Sequence, residues 1–213
     1  MNRGYRLPTI LTLLMLLAAC SQSVRLKVAA DIPEPAISTL PLTMGIYYDD
    51  QFRHYTYTEE SKERPNWRIE TGDSQVAIFD RIFSSLFAQL IRLEQPPGER
   101  GAAAVDAVLS PSLDDIQFAL PNETMTDHFE AWVRYTLTLY SPAGDVIATL
   151  PVTGYGRTQA AAFAANETGL NSAINLALRD AGARLIVGFR ESKSVSAWLA
   201  AKSGECQSYA RIC

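Results

Sequence analysis

The chain has 213 residues, with 19 Lys and Arg against 23 Asp and Glu, and a formal net charge of −4. This mild acidity gives no electrostatic attraction for nucleic acid or anionic lipid, so we expect no nucleic-acid partner. Apolar residues make up 47% of the chain, which is enough for the core of one domain.

The first 20 residues have the pattern of a secretory leader. Arg3 and Arg6 precede an apolar stretch from Leu7 to Leu17, and small residues follow before Cys20. A spanning helix needs about 20 apolar residues, and this stretch is shorter and is followed by polar residues. A cleaved leader is therefore favoured over a membrane-spanning segment.

The four residues Leu17-Ala18-Ala19-Cys20 resemble the lipobox of bacterial lipoproteins. The resemblance implies cleavage before Cys20, a diacylglyceryl group on its sulfur and usually an acyl chain on the new amine. Two or three chains anchor a protein stably, because each buried methylene contributes about 0.8 kcal/mol. Ser21 in place of Asp implies the periplasmic face of the outer membrane, with the inner membrane as the alternative. An ordinary leader, with Cys20 as a plain thiol, is the other interpretation.

We therefore divide the chain into a signal peptide over residues 1–19, a lipidated N-terminus and tether over 20–42, and a single periplasmic domain over 43–213. Without the leader, 17 Lys and Arg remain against 23 Asp and Glu, a net charge of −6. About 20 tether residues would reach roughly 65 Å when stretched. The alternation of Val24, Leu26 and Val28 leaves open that part of the tether pairs as an edge strand.

Two cysteines lie near the C-terminus. In the oxidising periplasm, such a pair is typical of a disulfide, and Cys206 with Cys213 would close a small ring. Chain entropy predicts roughly 2–3 kcal/mol of stabilisation from it. Two free thiols or a redox site are the alternatives. The two cysteines lack the CxxC spacing that is typical of redox sites.

The first half of the domain predicts strands around one strong helix. Residues 44–57 are rich in aromatic and β-branched residues, which favour strands. Asp73 or Ser74 is the expected N-cap of a helix, apolar residues follow at helical spacing from Val76 to Leu90, and Pro96-Pro97-Gly98 is expected to stop the helix. Alternation predicts further strands near 105–109 and 116–120.

The second half predicts a hairpin and a second helix. Residues 129–140 alternate, residues 141–145 have turn chemistry, and 146–152 return as the partner strand. A helix follows from about Asn166 to Ala181. Residues 185–189 are a strand or a helix, and 197–201 a short terminal turn.

This β–α–β–β–β–α order predicts the α+β class, as a mostly antiparallel sheet with two amphipathic helices packed on one face. The order, together with the run from Phe79 to Phe87 after the first strand, resembles the small periplasmic lipoproteins with a TolB-amino-terminal-like or YajG-like domain. The resemblance implies a fold and leaves the function open.

No pattern in the chain indicates catalysis or metal binding. His54 and His128 lie outside any HxH or HExxH spacing, and neither a GxSxG nor an SxxK motif occurs. Asp114 and Asp115 are strand neighbours, so we expect them to point to opposite faces. We predict no catalytic residue, no metal site and no cofactor beyond the acyl chains on Cys20.

Aromatic residues are the candidate partner-binding positions, because they are enriched at interface hot spots. Ordinary packing within a sheet is the alternative. Trp132 lies opposite the expected core face, either under a second layer or on an exposed strip. The candidates are Tyr47, Tyr48, Tyr55, Tyr57, Trp67 and Trp132.

These observations favour a non-enzymatic accessory or scaffold subunit of a cell-envelope assembly, transport or secretion complex, with a protein partner and the membrane as its anchor. A lipid or glycan carrier is the alternative, and a cell-wall hydrolase the third hypothesis. Exposed aromatics on the sheet would favour the scaffold. An apolar cavity under Phe79, Phe83 and Phe87 would favour the carrier, and converging acids or a His–acid pair in a cleft the hydrolase. The oligomeric state is left open.

Overall fold

The computed structural model describes residues 23–28, 36–61, 65–99, 104–162 and 165–209, the last seven by their backbone alone. Within these ranges, eight strands form a three-stranded sheet of order β1-β4-β3 and a five-stranded sheet of order β5-β2-β6-β7-β8. The strands are β1 (Ser23–Lys27), β2 (Leu40–Tyr47), β3 (Thr56–Glu59), β4 (Asn66–Glu70), β5 (Phe87–Leu93), β6 (Ala107–Ala119), β7 (His128–Tyr140) and β8 (Val146–Gln159). The helices are α1 (Asp50–Arg53), α2 (Gly72–Leu86), α3 (Pro121–Thr124), α4 (Asn166–Glu191) and α5 (Lys193–Tyr209), with a 3₁₀ turn at Ala160–Ala162.

The α+β class is confirmed, and both sheets are mixed rather than purely antiparallel, with most of the paired residues in antiparallel pairs. Strand β2 runs parallel to both of its neighbours, β5 and β6, while β6, β7 and β8 are antiparallel. Strand β1 is parallel to β4, which is antiparallel to β3. Strands β2 and β5 are parallel because helix α2, which precedes β5, returns the chain to the end of the sheet where β2 began. A crossover connection of this kind produces a parallel pair.

The predicted first helix exists as α2, but it ends four residues early. Its buried side chains include Ile78, Phe79, Ile82 and Phe83, so the expected apolar face is the one that packs. Beyond Leu86 the chain becomes strand β5, whose pairing with β2 replaces the last predicted turn of helix.

The predicted hairpin is confirmed as β7 and β8, which pair along their whole length. Residues of β7 alternate between the core and the opposite face, with Ala131, Val133, Tyr135, Leu137 and Leu139 all at most 1% exposed. We call the opposite surface of β6, β7 and β8 the outer face.

The predicted second helix is longer than expected and contains residues 185–189 as helix. It packs against β8 through residues of small volume. A Cβ atom added at Gly154 would lie 2.0 Å from the carbonyl oxygen of Ala177, and one at Gly156 would lie 2.0 Å from that of Ala173. Helix and strand backbones therefore touch here, which holds α4 on the inner face of the sheet. The expected terminal turn at 197–201 belongs to α5.

Strand β1 lies within the segment expected to be a tether. It pairs with β4 from Ser23↔Asn66 to Lys27↔Glu70, as the alternation allowed, and it is an edge strand. Leu26 and Val28 are 7% and 2% exposed and belong to the main core. The folded unit thus includes residues well before position 43.

Two parts of the sequence prediction lie outside the described residues. Cys20 and Cys213 are not described, and the side chain of Cys206 is not described although its backbone lies in α5. The lipid anchor and the disulfide stay predictions. Among the helices of the described ranges, none combines the length and apolar character needed to cross a bilayer.

Candidate functional site

The outer face carries an aromatic pair at its centre. Trp132 on β7 lies directly opposite Tyr155 on β8, with ring centroids 5.3 Å apart and planes 37° from parallel. Tyr155 is 38% exposed, and Trp132 is partly buried beside it. Two large rings therefore sit together on a surface where they are not needed for the core.

Polar side chains hold this pair and define a groove next to it. The Tyr155 hydroxyl donates to Glu130 Oε1 at 2.9 Å, and the Tyr155 amide donates to Asp180 Oδ2 on α4 at 2.9 Å. The groove has a volume of about 210 Å³ and is lined by Asp115, Gln117, Trp132, Arg134 and Thr153. We call these five residues with Tyr155 the aromatic groove.

Asp115 organises the polar side of the aromatic groove. Arg134 Nη2 lies 3.0 Å from Asp115 Oδ2, and Gln117 Nε2 donates to the same oxygen at 2.7 Å. Partial desolvation, followed by the Glu130 carboxylate, raises the pKa of Tyr155 above its ordinary value. The tyrosine therefore stays a neutral donor at physiological pH. The site presents fixed hydrogen-bonding groups around aromatic surface, a composition typical of recognition surfaces.

The expectation that Asp114 and Asp115 face opposite ways is wrong. Thr136 Oγ1 donates to Asp114 Oδ2 at 2.7 Å, while Asp115 binds Arg134, and both partners lie on the outer face of β7. The reason is a β-bulge between Leu113 and Asp115, which adds one residue to β6 and turns both carboxylates to the same side. Among the described lining residues of the groove, Asp115 is the one acid.

The other aromatic candidates are mostly structural. Tyr48 and Trp67 are 1% and 2% exposed, so these two side chains present almost no surface to a partner. Tyr48 stacks on Phe52 at 5.3 Å and donates to Asp80 Oδ1 at 2.9 Å, and Trp67 packs edge-on against Phe118 at 5.2 Å.

Three tyrosines have intermediate exposure. Tyr57 meets Phe118 at 5.6 Å, Tyr47 packs against a small second cluster that contains Leu93 and Val108, and Tyr55 lines the cleft described next. These tyrosines lie apart from the aromatic groove, so the structure does not gather the six candidates into one surface.

A second cleft of about 250 Å³ lies between the three-stranded sheet and the start of α2. His54 and the carboxylates of Glu70 and Asp73 line it, the combination that would favour a hydrolase. The acids are paired with cations, however: Asp73 with Lys27 at 3.2 Å and Glu70 with Arg68 at 3.2 Å.

The histidine and the backbone amides of this cleft are also engaged. His54 Nδ1 lies 3.1 Å from the carbonyl oxygen of Asp50, and the amides of Thr71 and Gly72 both donate to Tyr55 O. No group of three or more His, Cys, Asp or Glu side chains converges for a metal ion within the described ranges.

The region under the Phe-rich helix is filled. Phe79, Phe83 and Phe87 are at most 3% exposed, and their rings lie 5.6 and 6.2 Å apart in sequence order. Phe189 from α4 closes on Phe87 at 5.5 Å. Aromatic rings occupy the space that a carrier would leave for its ligand.

Sequence reasoning placed Trp132 on this face but did not name Tyr155, Gln117, Thr153 or Glu130 as site residues. The alternation of β7 places Trp132 and Glu130 on one face, so Glu130 was within reach of the same argument. Tyr155 requires the register of the hairpin, and Gln117 requires that of β6.

No protein-family model and no curated protein matches the sequence. Among solved structures, protein XCC0632 from Xanthomonas campestris, of family model DUF330, aligns with a TM-score of 0.48 and 11% identity over 79% of this chain and 94% of its own. A minor lipoprotein from Acinetobacter baumannii aligns with a TM-score of 0.41 and 9% identity, over 70% and 91% of the two chains. The hypothetical protein CT253 from Chlamydia trachomatis has a TM-score of 0.42 and 9% identity, over 74% and 99%. Likeness at this level transfers no function.

Proposed function

We propose that this protein is a membrane-anchored periplasmic lipoprotein that acts, without catalysis, as an accessory or scaffold subunit of a cell-envelope complex. The anchor is lipid on Cys20, in the outer membrane. The partner is a protein that docks on the outer face. The observation that carries the proposal is the Trp132–Tyr155 pair on the outer face, with Tyr155 exposed, Trp132 partly exposed and polar side chains bonded around them.

The physical argument is one of surface chemistry. Aromatic residues and Arg dominate binding energy at protein interfaces, and they do so in the centre of a polar surround. Trp132, Tyr155 and Arg134 have this arrangement, whereas the rings of Phe79, Phe83 and Phe87 fill the described region in which a carrier would hold its ligand. Lipid anchoring adds effective concentration at a membrane-bound partner.

Site-specific photo-crosslinking in intact cells tests the docking surface. We expect benzoylphenylalanine at position 155 to capture a discrete partner, because this side chain lies in the proposed interface. The same residue at Val187, 53% exposed on α4, is the matched control and should capture none. The crosslink should be lost with Trp132→Ala and kept with Thr149→Ala, another exposed outer-face position. Equal capture at positions 155 and 187 would contradict the proposal.

The anchor is tested separately by intact mass and fractionation. The native protein should carry acyl mass on Cys20, and Cys20→Ser should appear in the soluble periplasmic fraction or remain uncleaved. A mature Cys20→Ser protein that still sediments with membranes would exclude lipid as the anchor.

Glycan binding is the second candidate, favoured by one observation. Trp132 forms a wall of a groove that also contains a carboxylate, an amide and a guanidinium, groups that hydrogen-bond to sugar hydroxyls. The volume of about 210 Å³ lies below the roughly 300–1,000 Å³ typical of ligand pockets, which favours the protein partner. Titration of tryptophan fluorescence with soluble peptidoglycan fragments decides between them: saturable quenching that Trp132→Ala removes would establish the glycan site.

A further inference from the structure

The distance between the anchor and the folded domain is set by strand β1. Residue Ser23 is already paired with Asn66, so only Ser21 and Gln22 separate the strand from Cys20. Three Cα–Cα steps of 3.8 Å span at most about 11 Å. A domain anchored at Cys20 is therefore held against the bilayer, in contrast to the roughly 65 Å reach of a free tether.

The direction of β1 selects which end of the domain faces the membrane. Thr56 is opposite Glu70 in the β3–β4 pair, and its neighbour Tyr55 shares a small pocket with Leu113 of β6. At the other end of β4, the Trp67 ring contacts Phe118. Going from Glu70 to Asn66 is thus going along β6 from Leu113 towards its end at Ala119. Because β1 is parallel to β4, going back along β1 from Lys27 to Ser23 leads towards the same end of β6.

Beyond this end of β6 lies the loop that joins it to β7, residues 120–127, which we call the β6–β7 loop. Its tip is Met125, the most exposed large apolar side chain in the described ranges at 98%, on a left-handed backbone with φ 52°. A non-glycine residue in this region is uncommon and costs conformational energy. An apolar side chain is therefore held out into solvent at the end of the molecule that faces the anchor.

The loop is ordered by bonds at both of its ends. The amide of Leu120 donates to Glu123 Oε2 at 2.8 Å, and the amide of Ala160 donates to Asp127 O at 2.8 Å, which ties the loop to the end of β8. Leu120 itself is 3% exposed. Met125 is thus exposed on a loop that hydrogen bonds hold at both of its ends.

We propose that the β6–β7 loop rests on the leaflet that holds the acyl chains, with Met125 in the interfacial layer. This inference rests on the proposed lipid anchor. The acidic residues Glu123 and Asp127 flank Met125, so attraction to anionic lipid does not drive the contact. The short connection to Cys20 and the burial of the Met125 side chain drive it. The β7–β8 hairpin then points away from the bilayer, because β7 has 13 residues and extends about 40 Å.

The test uses the full lipidated protein in vesicles of phosphatidylethanolamine and phosphatidylglycerol that carry a nitroxide quencher on the lipid. A fluorescent non-natural amino acid replaces Met125 in one sample and Val146 in the other. Val146 is 61% exposed and lies at the far turn of the hairpin, so it is the matched control. We expect strong loss of fluorescence at position 125 and none at position 146, with no change when salt is added.

A spacer variant separates the contact from the anchor. Insertion of about 20 Gly and Ser residues between Gln22 and Ser23 gives a flexible connection with a root-mean-square length of about 25 Å. This protein should still float with vesicles, while quenching at position 125 is largely lost. Flotation with equal quenching at positions 125 and 146 in the native-length protein would overturn the loop contact and leave the anchor standing. Failure to float, with no acyl mass, would overturn the anchor itself.

Discussion

At the scale of single residues, burial decides which aromatic side chains are available for function. Tyr48, Trp67 and Trp132 are all aromatic residues that the sequence offers as candidates for partner binding. Tyr48 and Trp67, however, pack on Phe52 and Phe118 inside the molecule. The sequence pattern identifies strand aromatics and, where alternation is clear, the face they occupy. It identifies Trp132 as outward because its strand alternates over 12 residues. Trp67 is covered by Phe118 of the distant strand β6, and no local pattern encodes that contact. Tyr48 is covered by the nearby Phe52 of α1 and also bonds to Asp80 of α2, in a region where the sequence predicted strands.

Two buried tyrosines make alkaline pH a probe of the core. Burial is the main cause that raises the pKa of Tyr48 and of Tyr135 above the ordinary value, with the Asp80 carboxylate adding to it at Tyr48 and Tyr55 at Tyr135. Above about pH 10 the unfolded chain releases these protons while the folded chain keeps them. The unfolded state then binds fewer protons, so the free energy of unfolding falls as pH rises, by about 1.4 kcal/mol per pH unit for each tyrosine.

Urea unfolding at a series of alkaline pH values measures this slope. We expect about 2.7 kcal/mol per pH unit from the two tyrosines together, and full stability from this source below about pH 10. Tyr135→Phe should reduce the slope by about half. It should also lower stability at neutral pH by about 1–3 kcal/mol, because the hydroxyl donates to buried Gln75 Oε1 at 3.0 Å. A slope unchanged by Tyr135→Phe would mean that this tyrosine ionises normally in the folded protein.

At the scale of elements, the helices and the hairpin follow from local patterns, whereas register and parallel pairing do not. The turn at 141–145 suggests that Tyr140 pairs with Val146, which would place Trp132 opposite Gly154. A register shift between Leu139 and Tyr140 moves the partner to Tyr155 and creates the aromatic pair. The bulge near Asp114 has the same effect on β6. One extra residue in a strand is invisible in an alternation pattern, yet it decides which side chains meet.

The contact between α4 and β8 depends on glycine, and this gives a sharp stability prediction. In Gly156→Ala, the new Cβ would lie 2.0 Å from Ala173 O and 2.4 Å from Ala177 N, both backbone atoms that cannot rotate away. We expect the free energy of unfolding to fall by about 3 kcal/mol or more, the upper part of the range for overpacking. Urea unfolding followed by circular dichroism measures it.

Gly188→Ala, on helix α4 itself, is the control for Gly156→Ala on β8. Nothing lies within 4 Å of a Cβ atom at this position, so helix propensity alone applies and stability should rise by up to about 1 kcal/mol. If both substitutions changed stability by similar amounts, the close packing of α4 on β8 would be wrong.

Helix α5 constrains the predicted disulfide. Cys206 and Cys213 are seven positions apart, and in one continuous helix their Cα atoms would be about 10.5 Å apart, beyond the roughly 4.4–6.8 Å that a disulfide bridges. Helix α5 ends at Tyr209, before Cys213. A disulfide therefore requires the chain to turn back after this point. Mass spectrometry of the alkylated native protein, with and without reduction, tests the pair: two reactive thiols without reduction would exclude the bond.

At the scale of the whole molecule, the position of the N-terminal strand determines both how the domain folds and where it is held. The sequence places a domain boundary at residue 43, since proline-rich residues 33–41 separate the alternating segment from the next strand. The structure joins β1 to the core across that gap through parallel pairing with β4, a contact between residues more than 40 positions apart. The same strand leaves only a short connection to Cys20.

Truncation from the N-terminus measures what β1 contributes. A soluble chain that begins at Ser21 keeps β1, whereas one that begins at Ala29 lacks Leu26, Val28 and the bond from Ser74 Oγ to Val28 O. Burial of each of these two side chains contributes about 1.5–3 kcal/mol, so the shorter chain should lose at least about 3 kcal/mol and uncover an edge of β4. Urea unfolding of the two chains measures the difference, and Lys27→Ala in the longer chain is the control, because its exposed ion pair with Asp73 contributes about 0–1 kcal/mol. Equal stability of the two chains would mean that β1 is dispensable for the fold. Strand β1 could then detach from the domain, and the connection between Cys20 and the fold would no longer be short. The proposed membrane contact of the β6–β7 loop depends on that short connection.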